Sequence, residues 1–151
     1  MFSLVRRFIK TAVGFLAAGL LIGAWMIVQR ELLGAAPSEY LRSAHAHALL
    51  AGFGMMMIMG VALWLFPRPA RDDTRYHPER VATAYWFATL GTAGRVGGEV
   101  VHLWTRSPWL GWTIVLAGLA QMAGMLLFFW AMWPRIRPVG SALREKEGER
   151  F

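Results

Sequence analysis

The chain is 151 residues long, 56% hydrophobic, with eight tryptophans, nine phenylalanines, nine methionines and no cysteine. Without cysteine it forms no disulfide, iron–sulfur cluster, c-type haem attachment or thiolate zinc site. The net charge of +7 would suggest nucleic acid in a soluble protein, but here the cations are segregated between long apolar runs, which reads as a membrane protein with no nucleic-acid role.

Four apolar runs, about 8–29, 43–66, 81–105 and 108–133, follow one another. Each approaches or exceeds the roughly 20 residues that cross a hydrocarbon core of ~30 Å. None alternates as a barrel strand does, and lipid otherwise admits only helices. The expected fold is all-α, a polytopic membrane four-helix bundle over 1–134 with a charged tail over 135–151.

The first run follows Arg6 and Arg7 and resembles a signal peptide, with Ala35 and Ala36 as a small-residue cleavage site. Its apolar core exceeds the roughly 7–15 residues of such segments, so an uncleaved first helix is expected. Gly19 and Gly23 form a small-xxx-small pair for close helix approach. Helix two is expected to start at Ser43 as N-cap and to stop at Pro67 and Pro69. The polar loop that follows contains His77, to which no role is assigned. Helix three returns to the first face, and helix four stops at Pro134.

Of the 16 Lys and Arg, 12 fall at the N-terminus, in the loop between helices two and three, or in the tail. The positive-inside rule therefore puts both termini in the cytoplasm. Anionic headgroup contact is a secondary use of these charges. Trp25, Trp104, Trp109 and Trp112 would mark the outer interface, and Trp64, Trp130 and Trp133 the inner one.

Ionisable residues inside a membrane point to function. Taking 100° per residue, Arg95, Glu99 and His102 lie within about 60° of one another on helix three. Gly91, Gly94 and Gly98 lie on or beside that face, leaving room for close packing or a flat ligand. An i,i+4 ion pair between Arg95 and Glu99 is the plainer reading. On helix two, His45 and His47 point about 160° apart, so they do not easily share one metal. His45 shares its side with Gly52, Met56, Met59 and Gly60 and is the better ligand candidate; His47 replaces it if the helix starts irregularly.

His45 and His102 fall at one depth, near the outer boundary. Two imidazoles from adjacent helices at one level suit the axial positions of a haem b, with Arg30, Arg42 and Arg106 for outward propionates. The alternative is a non-haem iron, copper or zinc site using His45 or His47 with Glu99 and His102, since Glu-x-x-His is a ligand spacing in helix bundles. A third reading leaves the histidines interfacial and empty. Gln121 reads as an interhelical hydrogen bond and the Met-rich run as core.

The stretch H-A-H-A-L-L-A-G-F-G-M-M-M-I-M-G-V-A-L-W-L-F-P-R, residues 45–68, resembles the second helix of haem–copper oxidase subunit I. It looks most like the cbb3-type and nitric oxide reductase branches, and like small NnrS-like proteins of nitric oxide metabolism. The resemblance implies a low-spin haem ligand at His45 or His47, with Pro67 and Arg68 at the helix end. It also implies a bacterial or archaeal plasma membrane and partners among oxidase or nitric oxide reductase subunits. Subunit I is far longer and carries further histidines for a second haem and metal centre, so catalysis by this chain alone is not expected. Because that subunit is built as three arcs of four helices, a homotrimer of this chain would resemble it. The function implied is electron transfer or gas sensing, the alternative a cofactor-free accessory subunit.

Overall fold

The computed structural model describes residues 2–66, 77–105, 107–136, 144 and 148. Four long helical stretches make up the fold: α1 (Phe2–Glu31), α2 (Glu39–Leu65), α3 (Pro78–Val101) and α4 (Pro108–Met132), the last closed by a 3-10 turn at Trp133–Arg135. No strand occurs among the described residues.

Several boundaries differ from the sequence expectation: the third span, expected over 81–105, is a helix over Pro78–Val101 with His102 as its C-cap, and the first two spans start earlier. α1 extends to Phe2, ahead of its apolar run. α2 begins at Glu39, because Ser38 rather than Ser43 is the N-cap: its hydroxyl accepts from the Leu41 N–H at 3.2 Å. Glu39 then lies in the first turn, where a carboxylate complements the helix dipole. Ser43 is thereby released for another contact. The middle of α2, Ala48–Met55, is a π-helix, a wider turn that often accompanies functional sites.

The helices pack by backbone approach at small residues. Along α1 and α2, Gly60 faces Phe8 and Ile9, Gly52 faces Phe15, Leu49 faces Gly19, and His45 faces Gly23. The partners step in opposite directions, as antiparallel neighbours must. Between α3 and α4 the approach is closer. A Cβ on Gly91 would meet the backbone of Gln121 and stand 2.7 Å from the Ala117 carbonyl oxygen. A Cβ on Gly124 would meet the backbone at Ala88 and stand 2.9 Å from the Ala84 oxygen. Ala84, Ala88, Gly91, Arg95 and Gly98 of α3 repeat at the 3–4 spacing of an antiparallel coiled-coil seam, built of small residues at every one of these positions but Arg95.

The main core sits at the end that carries the start of α1 and the end of α4. Phe8 is fully buried there, edge-on to Tyr85 at 5.1 Å and to Phe128 at 5.5 Å between ring centroids. Thr11 Oγ1 and the Tyr85 hydroxyl are hydrogen-bonded at 2.9 Å. Met56, Met59 and Leu63 complete the packing, as the Met-rich run suggested. Arg135, also buried, donates from Nη2 to the carbonyls of Leu63 (3.2 Å) and Phe66 (2.7 Å) at the end of α2. It closes that helix end, whose carbonyls have no partner within the helix. Arg135→Ala is expected to destabilise the chain by about 1–3 kcal/mol, read as a lower melting temperature in detergent.

Three helical stretches, Ser3–Glu31, Glu39–Leu65 and Pro108–Arg135, are long and apolar enough to cross a membrane. Only 11%, 33% and 28% of their most apolar windows are buried within the protein. So much exposed apolar surface calls for lipid rather than water. α3 is less apolar and more enclosed: Val81, Ala84, Tyr85, Ala88, Gly91, Thr92, Val96, Gly98 and Glu99 are all buried.

Candidate functional site

At the end opposite the main core, the first turns of α2 meet α1 and α3. The two histidines of α2 diverge, as i and i+2 positions on a helix must. His45 turns to α1: its Nδ1 lies 2.9 Å from the Gly19 carbonyl oxygen. A carbonyl only accepts, so Nδ1 carries a proton, and in the neutral ring the lone pair is on Nε2. No hydrogen bond to Nε2 is formed among the described residues.

The absence of a side chain at Gly23 admits the ring, since a Cβ there would stand 2.7 Å from Cε1. The small-xxx-small pair Gly19–Gly23 therefore serves His45, one residue by its carbonyl and the other by its missing methyl group.

Beside this imidazole lies an open groove of about 850 Å³ between α1 and the first turns of α2. It has the dimensions of pockets that hold cofactor-sized ligands, roughly 300–1,000 Å³. Gly23, Ala24, Gly34, Ala35 and Ala36 keep its walls low, and Arg30 and Arg42 stand at its rim with His45. The two arginines are paired locally, Arg30 Nε with Glu31 at 2.6 Å and Arg42 Nη2 with Glu39 at 2.9 Å. Both pairs are solvent-exposed, so an incoming carboxylate meets little resistance in replacing them. Arg106 lies outside the described residues.

The remaining candidates form a second constellation, between α2 and α3. His47 Nδ1–H donates to the Ser43 carbonyl at 2.8 Å, with the Ser43 hydroxyl 3.2 Å away. That hydroxyl donates to Glu99 Oε1 at 2.7 Å, and Arg95 Nε donates to the same oxygen at 3.2 Å. The i,i+4 pairing of Arg95 with Glu99 is thus present, with the carboxylate nearly fully enclosed. The arginine also lies against Gly118 of α4. Glu99 Oε2 and Thr92 Oγ1 are buried with no hydrogen-bond partner among the described residues. Gln121 is buried at the Gly91 crossing, and its side chain makes no hydrogen bond among the described residues, so the expected interhelical bond is not found there.

His102 is placed differently again. Its ring stacks on Tyr40 at 3.9 Å between centroids and 14° between planes. His45 faces α1 and His102 faces Tyr40, so the structure does not bring these two rings onto one ligand. Nor do three His, Cys, Asp or Glu side chains gather around one ion position among the described residues. What it does bring together is Ser43, His47, Arg95 and Glu99 on one side of α2, and His45, Gly19 and Gly23 on the other.

Sequence reasoning missed Tyr40 and Ser43. The first belonged to a stretch read as loop, and the second was read as a cap. The signal for both was Pro37-Ser38-Glu39, a helix start that moves Tyr40 and Ser43 inside α2. The chain matches no family model, no curated protein and no solved structure.

Proposed function

We propose that this chain is an integral membrane protein that holds a b-type haem in the groove between α1 and α2, with His45 as the residue that would ligate it. One observation carries the reading. The His45 ring is fixed through Nδ1 by the Gly19 carbonyl, and Nε2 has no hydrogen-bond partner among the described residues, beside a groove lined in part by glycines and alanines. Ligating imidazoles are commonly held this way, with a carbonyl on the other ring nitrogen setting tautomer and orientation. Arg30 and Arg42 at the rim suit propionates. Bound there, a haem supplies reversible one-electron or gas-binding chemistry. His45 would hold and orient it, and Arg30 and Arg42 would neutralise its carboxylates. His102 stacks on Tyr40 and is not among the residues lining the groove, so a haem there would be held through His45, which supports gas binding over electron transfer.

In this reading α3 is the fourth span, its charges shielded by α2 and α4. The cation distribution supports cytoplasmic termini, and the resemblance of residues 45–68 supports a bacterial or archaeal membrane. The resemblance of residues 45–68 suggests respiratory or nitric oxide metabolism, either beside an oxidase or reductase subunit or as a homotrimer. A second reading, a cofactor-free accessory subunit, draws on Gly14, Gly97 and Gly111. Each of these faces open space and offers a second helix a close approach.

Haem titration of the purified chain separates the two readings. Tight binding is expected, abolished by His45→Ala and little changed by His102→Ala. Gly23→Leu is expected to weaken it about 10- to 100-fold, because the new side chain displaces the ring from Gly19. Equal, weak binding by all four proteins would leave only the accessory role.

A further inference from the structure

At the opposite end of the bundle from the haem groove, the start of α3 and the end of α4 leave a second cleft. It has a volume of about 360 Å³ and is lined by His77, Arg80, Trp130, Ala131, Trp133 and Pro134. The Arg80 guanidinium carbon stands 4.8 Å from the centroid of the Trp130 ring. That distance puts the charge over the ring, and the guanidinium N–H groups make no hydrogen bond among the described residues, so they remain for a ligand acceptor. No carboxylate pairs with Arg80 among the described residues; the neighbouring Glu79 lies instead 3.5 Å from His77.

Trp130 and Trp133 are 62% and 73% exposed. Their indoles therefore face the surroundings at the level where such rings anchor in a membrane interface. One turn along α4 toward the bundle centre, Leu126 and Phe129 are also exposed and continue the apolar face. Arg6, Arg7 and Lys10 of α1 are exposed at the same end. A cation held on an aromatic shelf, above an apolar strip and in a basic surround, matches one kind of ligand: a phosphate attached to acyl chains. A zwitterionic headgroup would bring its own cation toward Arg80.

We propose that this cleft binds the headgroup phosphate of an anionic phospholipid. Arg80 pairs with the phosphate, Trp130 and Trp133 flank the glycerol region, and the acyl chains run along Leu126 and Phe129. The site is independent of the haem groove and would survive the failure of that reading.

The full-length chain in detergent, mixed with phosphatidylglycerol or phosphatidylcholine and examined by native mass spectrometry, tests it. The intact protein is expected to retain phosphatidylglycerol about fivefold more than phosphatidylcholine. Arg80→Gln and Trp130→Leu should each remove that preference, while Arg6→Gln should keep it. Melting temperatures equal to that of the unaltered chain would show that the variants are folded; should either variant unfold, the lipid ratio of the other decides. Equal retention of both lipids, or a preference unchanged in the folded Arg80 or Trp130 variant, would overturn the proposal. Excess inorganic phosphate that binds the chain and displaces the lipid would identify a free anion as the ligand, and would equally overturn it.

Discussion

Gly91→Leu and Gly124→Leu should each prise α3 from α4 and cost at least about 3 kcal/mol. Both positions meet backbone atoms of the facing helix, at Gln121 and Ala117 in one case and at Ala88 and Ala84 in the other. A side-chain neighbour could swing aside, but a helix backbone moves only as a whole. Separating the helices would forfeit dispersion contacts along the entire seam, since attraction falls steeply over an ångström. Gly97→Leu on α3 and Gly111→Leu on α4 provide the control. Both glycines face open space, and leucine is a better helix former than glycine by somewhat under 1 kcal/mol. Thermal melting in detergent should therefore separate the four variants into two strongly destabilised and two unharmed. A uniform response would show that the seam does not hold the bundle.

Glu99→Ala should destabilise the chain by about 3 kcal/mol, toward the lower end for a broken buried ion pair because Arg95 is still 28% exposed. The carboxylate is the shared acceptor for the Ser43 hydroxyl and the Arg95 guanidinium. Its removal leaves an arginine without a counter-ion against Gly118 and a hydroxyl without an acceptor. Glu99→Gln keeps an oxygen for Ser43 but offers Arg95 no charge, so an intermediate loss is expected. Replacing both partners, Arg95→Met with Glu99→Leu, should recover most of the stability, because no buried charge then remains. A double-mutant cycle on melting temperature checks this: additive losses would mean that Arg95 and Glu99 do not act as a pair.

The sequence made the helical class legible because lipid demands long uninterrupted apolar runs, and these leave a strong signal at residues 8–29, 43–66 and 108–133. It was less informative about α3, whose threonines, glycines and charges dilute the signal. The structure explains the dilution: polar groups on α3 are enclosed by α2 and α4, so the helix need not be uniformly apolar. The Arg95–Glu99 pair followed from 3.6-residue periodicity alone. The neighbour faced by His45 did not. Periodicity fixes a residue's side of its own helix, and His45 was correctly grouped with Gly52 and Gly60, but it cannot say which helix lies opposite. That depended on Gly19 and Gly23, whose close-approach role was visible although their partner was not. The π-helix at Ala48–Met55 could not be read from a periodicity that assumes 3.6 residues per turn throughout.

His45 is the hinge of the functional account, so the decisive measurement is the absorption spectrum of the chain purified from membranes of expressing cells. A Soret band is expected in the unaltered chain and in His102→Ala. It should be lost in His45→Gly and restored to that variant by added imidazole, which would occupy the space of the missing ring. A colourless protein, or a Soret band indifferent to the His45 substitution, would contradict haem ligation by this histidine.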